Sequence, residues 1–380
     1  MTAPTKALAA VLIGLAFQVV ASAAPRARFR AETILNDPVV RIAAGPDYAC
    51  QVNDDGTVQC WGNNYLGQLG DARTAFRSTP ALVPGVTGAI AVTAGTGFAC
   101  ALIVDETVRC WGGGLRLGGP TKIPGLFSVV AISAGDAHVC AIISPGFVRC
   151  LGYNFEGELG DPSAPQFSSA PVSVLNLFPT FPAVAIRSGY RYSCILSDQG
   201  TVLCWGRSKE VFYGNAIDIA AGSRHMCALI SDGTVTCWGD DSQGQLGGPP
   251  FSPVAGVTRA VAVGVGPNHS CAVLAAGNAV CWGDGRAGQL GDGSTVTRQP
   301  TPVPVAGSTR FAAIVGGGDA EGRSHTCALL GDGSVRCWGA NAFGQLGDGT
   351  TIPKSTPIAV LNSGGTFSAR DLAAGSQHTC

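Results

Sequence analysis

The sequence predicts an all-β fold, a seven-bladed β-propeller of four-stranded antiparallel blades. Three observations predict it. Cysteines recur as seven pairs, each pair ten positions apart. A block of Gly-rich turn residues repeats around every pair. No stretch carries sustained helical periodicity.

The chain opens with an apolar run over residues 7–20, behind Lys6, and then Ala21-Ser22-Ala23. A short apolar run ending in small residues reads as a signal peptide, 1–23, and is too short for a comfortable membrane span. Residues 24–38 form an N-terminal segment. The propeller occupies 39–380, in units 39–88, 89–128, 129–182, 183–215, 216–259, 260–309 and 310–368, with a partial unit at 369–380. The address is therefore secreted or periplasmic, with no membrane association after cleavage. Of the 380 residues, 46% are hydrophobic and 13% charged, and the formal net charge is −1. That balance supplies no electrostatic drive toward nucleic acid or an anionic membrane.

The cysteines pair by spacing as Cys50 with Cys60, Cys100 with Cys110, Cys140 with Cys150, Cys194 with Cys204, Cys227 with Cys237, Cys271 with Cys281 and Cys327 with Cys337, and Cys380 is left over. In the seventh copy a three-residue loop, Gly331-Asp332-Gly333, sets Leu329 opposite Val335 and Cys327 opposite Cys337. Such loops need a positive φ at their third residue, and six of the seven copies place Gly there; Glu106 is the exception. The facing cysteines then form a closely spaced pair with Cα atoms about 4.5 Å apart. In an exported chain we expect each pair to be oxidised within its own hairpin. The competing reading is a metal site. All five histidines, His138, His225, His269, His325 and His378, lie two residues before a first Cys, where other copies have Tyr48, Phe98 and Tyr192. A position that exchanges His for Phe and Tyr asks for a flat ring, so no metal and no cofactor is expected.

A Gly stands five residues before each first Cys: Gly45, Gly95, Gly135, Gly189, Gly222, Gly266, Gly322 and Gly375. Strands of the seventh unit are expected near 311–315, 325–330, 334–338 and, more weakly, 356–360. Trp-Gly follows the second Cys in six copies, and Gly-Gln-Leu-Gly recurs at 67–70, 244–247, 288–291 and 344–347. This pattern, in full His325-Thr326-Cys327-Ala328-Leu329 through Cys337-Trp338-Gly339 to Gly344-Gln345-Leu346-Gly347-Asp348-Gly349, resembles the repeat of the regulator of chromosome condensation. The resemblance covers 39–380 and implies a seven-bladed propeller whose repeats are staggered against its blades. It implies no single activity: relatives include a nuclear nucleotide-exchange factor, a plant ultraviolet-B photoreceptor and secreted bacterial β-lactamase inhibitors.

The tryptophans at 61, 111, 205, 238, 282 and 338 fill one repeat position and are expected between blades as core. Gly283-Asp284-Gly285-Arg286-Ala287-Gly288 matches a dinucleotide fingerprint by accident, because no helix follows it. No catalytic motif appears, and no catalytic residue is expected. The expected function is a non-catalytic, monomeric, extracytoplasmic scaffold binding a protein partner through propeller loops. The first candidate contact is the Pro/Phe-rich loop with Phe167, Phe178 and Phe181. The alternatives are a guanine-nucleotide exchange regulator, by family analogy, and a propeller enzyme acting on an extracellular polymer. At 371–380 the repeat restarts and reaches only its first Cys, so we expect the repeat to continue past Cys380.

Overall fold

The computed structural model describes residues 41–175, 177, 180–307, 310–319, 321–361 and 369–380. Seven separate sheets radiate around one axis, each antiparallel and built from consecutive strands. In blade one, β1 (Ile42–Ala44) is innermost, followed by β2 (Tyr48–Val52), β3 (Val58–Gly62) and β4 (Arg77–Leu82). Blades two to seven span Ala89–Lys122, Val129–Ser173, Ala183–Tyr213, Ala216–Gly239, Ala260–Pro304 and Phe311–Ala359. Blade five pairs three strands, and a single bridge, Thr236 to Pro253, stands for its outer strand. Each blade is drawn from one contiguous stretch.

The hairpin carrying the cysteines has the register expected from spacing. Leu329 faces Val335 and Cys327 faces Cys337, while Gly333 N–H donates to the Leu330 carbonyl at 2.9 Å. Gly333 has φ +82°, and Glu106, the non-glycine at this position, is also left-handed at 61°. The turn is further fixed by an aspartate. Asp332 accepts from the Ser334 amide at 2.9 Å and its hydroxyl at 2.7 Å. Those donors favour the charged form and hold the Asp332 carboxyl below its ordinary pKa.

The same register recurs in the other six hairpins. Cys50 faces Cys60, Cys100 faces Cys110 and Cys140 faces Cys150. Cys194 faces Cys204, Cys227 faces Cys237 and Cys271 faces Cys281. All seven cysteine pairs lie at bonding distance, with Cα atoms 4.0–4.1 Å apart, somewhat closer than the spacing expected of an unlinked pair. Among the described residues Cys380 is the one cysteine without a sulfur partner.

The core lies between blades. Trp111 of blade two packs into one cluster with Tyr48, Leu69 and Val83 of blade one. Trp338 of blade seven packs likewise with Leu290 and Val305 of blade six. The seventh copy departs from expectation at one glycine. Gly317, not Gly322, pairs with His325 and takes the axial place. A Cβ on Gly317 would lie 2.5 Å from the Gly375 carbonyl oxygen, so only glycine fits there. The insertion that follows displaces Gly322 out of the ring, toward the Arg286 guanidinium. Residues 373–380 form a small hairpin in which Ala373 and Cys380 exchange two backbone hydrogen bonds at 2.9 Å. It sits in the ring between blades seven and one. Residues 1–40, with the expected signal peptide, lie outside the described residues.

Candidate functional site

The repeated motifs are joints between blades. In Gly-Gln-Leu-Gly, the Gln68 side chain caps the Leu66 amide at 2.9 Å, and Asn64 caps Leu69 at 2.9 Å. The Gln68 carbonyl accepts the Trp111 indole N–H of the next blade at 2.9 Å. Gln245 and Gln289 do the same for Trp282 and Trp338, at 2.9 and 2.8 Å. These carbonyls also accept the hydroxyls of Ser270 and Thr326 at 2.9 and 2.8 Å. Two donors from one blade thus clamp one carbonyl of its neighbour, which holds the loop above it rigid.

The histidines belong to the same joints. His138 Nε2 lies 2.7 Å from Ser193 Oγ, His225 Nε2 2.8 Å from Ser270 Oγ, and His269 Nε2 2.8 Å from Thr326 Oγ1. His325 Nε2 lies 2.7 Å from Thr379 Oγ1. Ser270 and Thr326 use their protons on the glutamine carbonyls, so the His225 and His269 Nε2–H groups are the donors, and their Nδ1 atoms are unpartnered. Burial lowers the pKa of His138, His225 and His269 to about 4 and of His325 to about 3. The ring position is therefore more than a flat filler, because the histidine edge is used. These His–hydroxyl pairs resemble catalytic dyads in distance only. Ser193, Ser270, Thr326 and their histidines are at most 1% exposed, and no substrate reaches them. Among the described residues no group of His, Cys, Asp and Glu could hold a metal ion.

Two loops per blade emerge at one end of the propeller: between first and second strands, and between third and fourth. Their centre is a shallow funnel of about 260 Å³, lined by eight three-residue segments, among them 44–46, 188–190 and 374–376. Beside it, blades two, three and four raise a run of arginine and aromatic side chains. The Arg116 guanidinium lies 4.1 Å from the Phe167 ring centroid and 5.4 Å from that of Tyr153. Tyr153 stacks on Phe155 at 5.4 Å. Arg191 stands over Phe155 at 5.9 Å and Tyr190 at 5.2 Å, and pairs with Glu156 at 3.7 Å. Phe155 is 56% exposed. Arg116 and Arg191 both hold left-handed backbone, φ 58° and 59°. Blade two has Gly97 at the place of Arg191, so the arginine accepts a conformation that glycine adopts freely.

The structure divides the Pro/Phe-rich loop. Phe167 joins this run beneath Arg116, whereas Phe181 packs against the buried cluster of Leu159, Leu177 and Trp205. Phe178 lies outside the described residues. Motif reading missed Arg116, Tyr153, Phe155, Tyr190 and Arg191 because they stand at positions that vary between copies. The available signal was that variation: Phe155, like Tyr65, is two residues before the closing Gly of a fixed turn.

Comparison with known proteins agrees with this architecture. Two forms of the regulator of chromosome condensation (RCC1) repeat match the chain, at residues 39–68, 183–210, 216–245 and 260–289, and at 55–102, 277–329 and 332–380. No curated protein matches it. Among solved structures, Prp20p from Saccharomyces cerevisiae, described with its binding to Gsp1p and histones, is similar. It has 19% identity and a TM-score of 0.68, over 92% of this chain and 93% of that one. Yeast RCC1 (Prp20) with Kap60 bound gives 18% identity and a TM-score of 0.69, over 97% and 95%. Human WBSCR16 gives 19% and 0.59, over 89% and 84%. At such identities the likeness shows the fold alone.

Proposed function

Because this chain belongs to the regulator of chromosome condensation (RCC1) repeat family, we propose that it is a non-catalytic, monomeric scaffold that binds a protein partner outside the cytoplasm. The contact is the run Arg116, Tyr153, Phe155, Phe167, Tyr190 and Arg191. The observation that carries this reading is that half-exposed arginine and aromatic groups stand on loops clamped by inter-blade hydrogen bonds. Arginine side chains already stacked on rings have less freedom left to lose on contact, and arginine and tyrosine dominate binding energy where they cluster. The guanidinium groups select a partner that offers carboxylates.

The seven cysteine pairs support an oxidising address, and we assign residues 1–23 the role of export signal. The test is affinity capture from the extracellular fraction with the wild-type chain and with the double variant R116A/F155A. The partner should be retained by the wild type and lost by the variant. Capture unchanged by the variant overturns the proposed contact, and a chain recovered with residues 1–23 in the cytosol overturns the address.

A further inference from the structure

At the joints before blades six and seven, the Gly-Gln-Leu-Gly loop of the preceding blade does more than accept the indole N–H. The glycine that follows the tryptophan packs against its glutamine. A Cβ on Gly283 would lie 3.2 Å from Gln245 Cα, and one on Gly339 3.2 Å from Gln289 Cβ. Both glycines are buried. The joint between blades four and five has no such loop. Blade four passes from Gly206 to its outer strand, Val211–Tyr213, through residues 207–210 alone. Gly239, which follows Trp238, is exposed, and the buried Trp238 N–H has no acceptor. Phe212 and Phe251 stack on the Trp238 indole at 5.7 and 5.5 Å but bring it no acceptor.

Gly239 instead lines a pocket of about 250 Å³. Tyr192 lines it too and is pinned across the joint, its hydroxyl donating to the Gly222 and His225 carbonyls at 3.0 and 2.7 Å. Four charged side chains share this space: Arg207, Arg224, Glu210 and Asp240. Among the described residues none of the four has an ion-pair partner. Elsewhere at this end of the propeller such groups are joined, Arg77 to Asp71 at 2.7 Å and Arg286 to Asp284 at 2.9 Å. The backbone holds the four apart. Arg207 N–H donates to the Arg191 carbonyl at 2.8 Å, and Asp240 N–H to the Arg224 carbonyl at 3.0 Å. The Ser208 hydroxyl donates to Glu210, and the Ser242 amide to Asp240 at 3.1 Å, which orients both carboxylates. A lone anion entering the pocket meets two carboxylates, and a lone cation meets two guanidiniums. A ligand that carries both charges meets a partner for each.

We propose that the pocket between blades four and five binds a small free α-amino acid as its zwitterion. The carboxylate lies on the guanidinium groups of Arg207 and Arg224, and the ammonium group on the carboxylates of Glu210 and Asp240. The volume is just below the range of about 300–1,000 Å³ that holds drug-sized ligands, which suits a ligand of this size. No residue of the proposed protein contact lines the pocket, so the two sites stand or fall separately.

The test is calorimetric titration of the full chain at pH 7 and low salt with glycine, L-alanine and L-serine in turn. At least one should saturate a single site. Propionate and ethylammonium, each carrying one of the two charges, should bind at least about tenfold more weakly than that amino acid. The double variant R207A/R224A removes two exposed, unpaired side chains, and E210Q/D240N keeps the acceptor oxygens that Ser208 and Ser242 use. Each should weaken binding at least about tenfold at an unchanged thermal midpoint. The proposal is overturned if none of the three amino acids saturates a site by about 10 mM. It is equally overturned if propionate or ethylammonium binds as tightly as the amino acid, or if either double variant binds as the wild type does.

Discussion

Acidification should unfold this propeller through its joints before its carboxylates titrate. His138, His225 and His269 have pKa values lowered from 6.5 to about 4 by burial, and His325 to about 3. The unfolded chain binds these protons first, so stability is complete above pH 6.5 and falls as pH drops toward 4. A depression of this size is worth about 3 kcal/mol per histidine at 1.36 kcal/mol per pH unit. Four such groups approach a slope of about 5 kcal/mol per pH unit, against a whole-domain stability of about 5–15 kcal/mol. The hairpin aspartates, Asp55, Asp105, Asp232 and Asp332, are lowered from 3.8 and add their loss only below that pH. Urea midpoints with disulfides intact, at half-unit steps from pH 7.5 to 4.0, check the two windows. The double variant H225Y/S270A reproduces the Tyr48 and Ala99 joint of blades one and two and should remove about a quarter of the slope. A midpoint independent of pH from 7 to 4.5, or an undiminished slope in the double variant, refutes the reasoning.

Three further outcomes follow from the same geometry. R191G should stabilise the fold by about 1 kcal/mol by relieving left-handed backbone, seen as a higher thermal midpoint, while weakening partner capture. W282F removes the bond to the Gln245 carbonyl and should cost about 1 kcal/mol more in chemical unfolding than W238F, because the Trp238 N–H has no acceptor to lose. Non-reducing peptide maps should show only within-hairpin bonds, and the pair C227A/C237A should lose about 2–3 kcal/mol in the chain-entropy account of a ten-residue loop.

Much of the fold was legible because each blade repeats the same local solution. The ten-residue spacing, with Gly333 at the only place where a three-residue loop needs positive φ, determines the register of Cys327 and Cys337. What the sequence concealed was contact between copies. Gly322 satisfies the spacing rule, yet Gly317 occupies the axis, because five inserted residues preserve the count back from Cys327 while the axis demands a close approach to Gly375. The Arg116 and Arg191 run was hidden for the opposite reason. Its members come from three blades at positions without a motif, and only the ring closure brings them within 4–6 Å of one another's rings.

The histidine position shows how the neighbour, rather than the column of copies, decides a residue. Read down the column, His, Tyr and Phe look interchangeable. Read across four of the joints they are not, the exception being His378, whose Nε2 is buried without a partner and which precedes Ala49 of blade one. His138, His225, His269 and His325 meet Ser193, Ser270, Thr326 and Thr379. Tyr48, Phe98 and Tyr192 instead precede blades with Ala99, Val139 and Met226 at that place. Tyr192 turns its hydroxyl past the side chain, to the carbonyls of Gly222 and His225 at 3.0 and 2.7 Å. A histidine set against alanine would bury its Nε2–H unpaired, at a cost of about 1–3 kcal/mol. A double-mutant cycle on His225 and Ser270 should therefore be strongly non-additive. S270A alone should cost about 1–3 kcal/mol, and H225Y alone should suffer from a tyrosine facing a hydroxyl it does not use. The double variant should recover most of the loss, with a coupling energy of at least about 1 kcal/mol. Additive losses in urea unfolding at pH 7.5 would mean that the two residues are chosen independently, and that the pairing across joints is a coincidence of four.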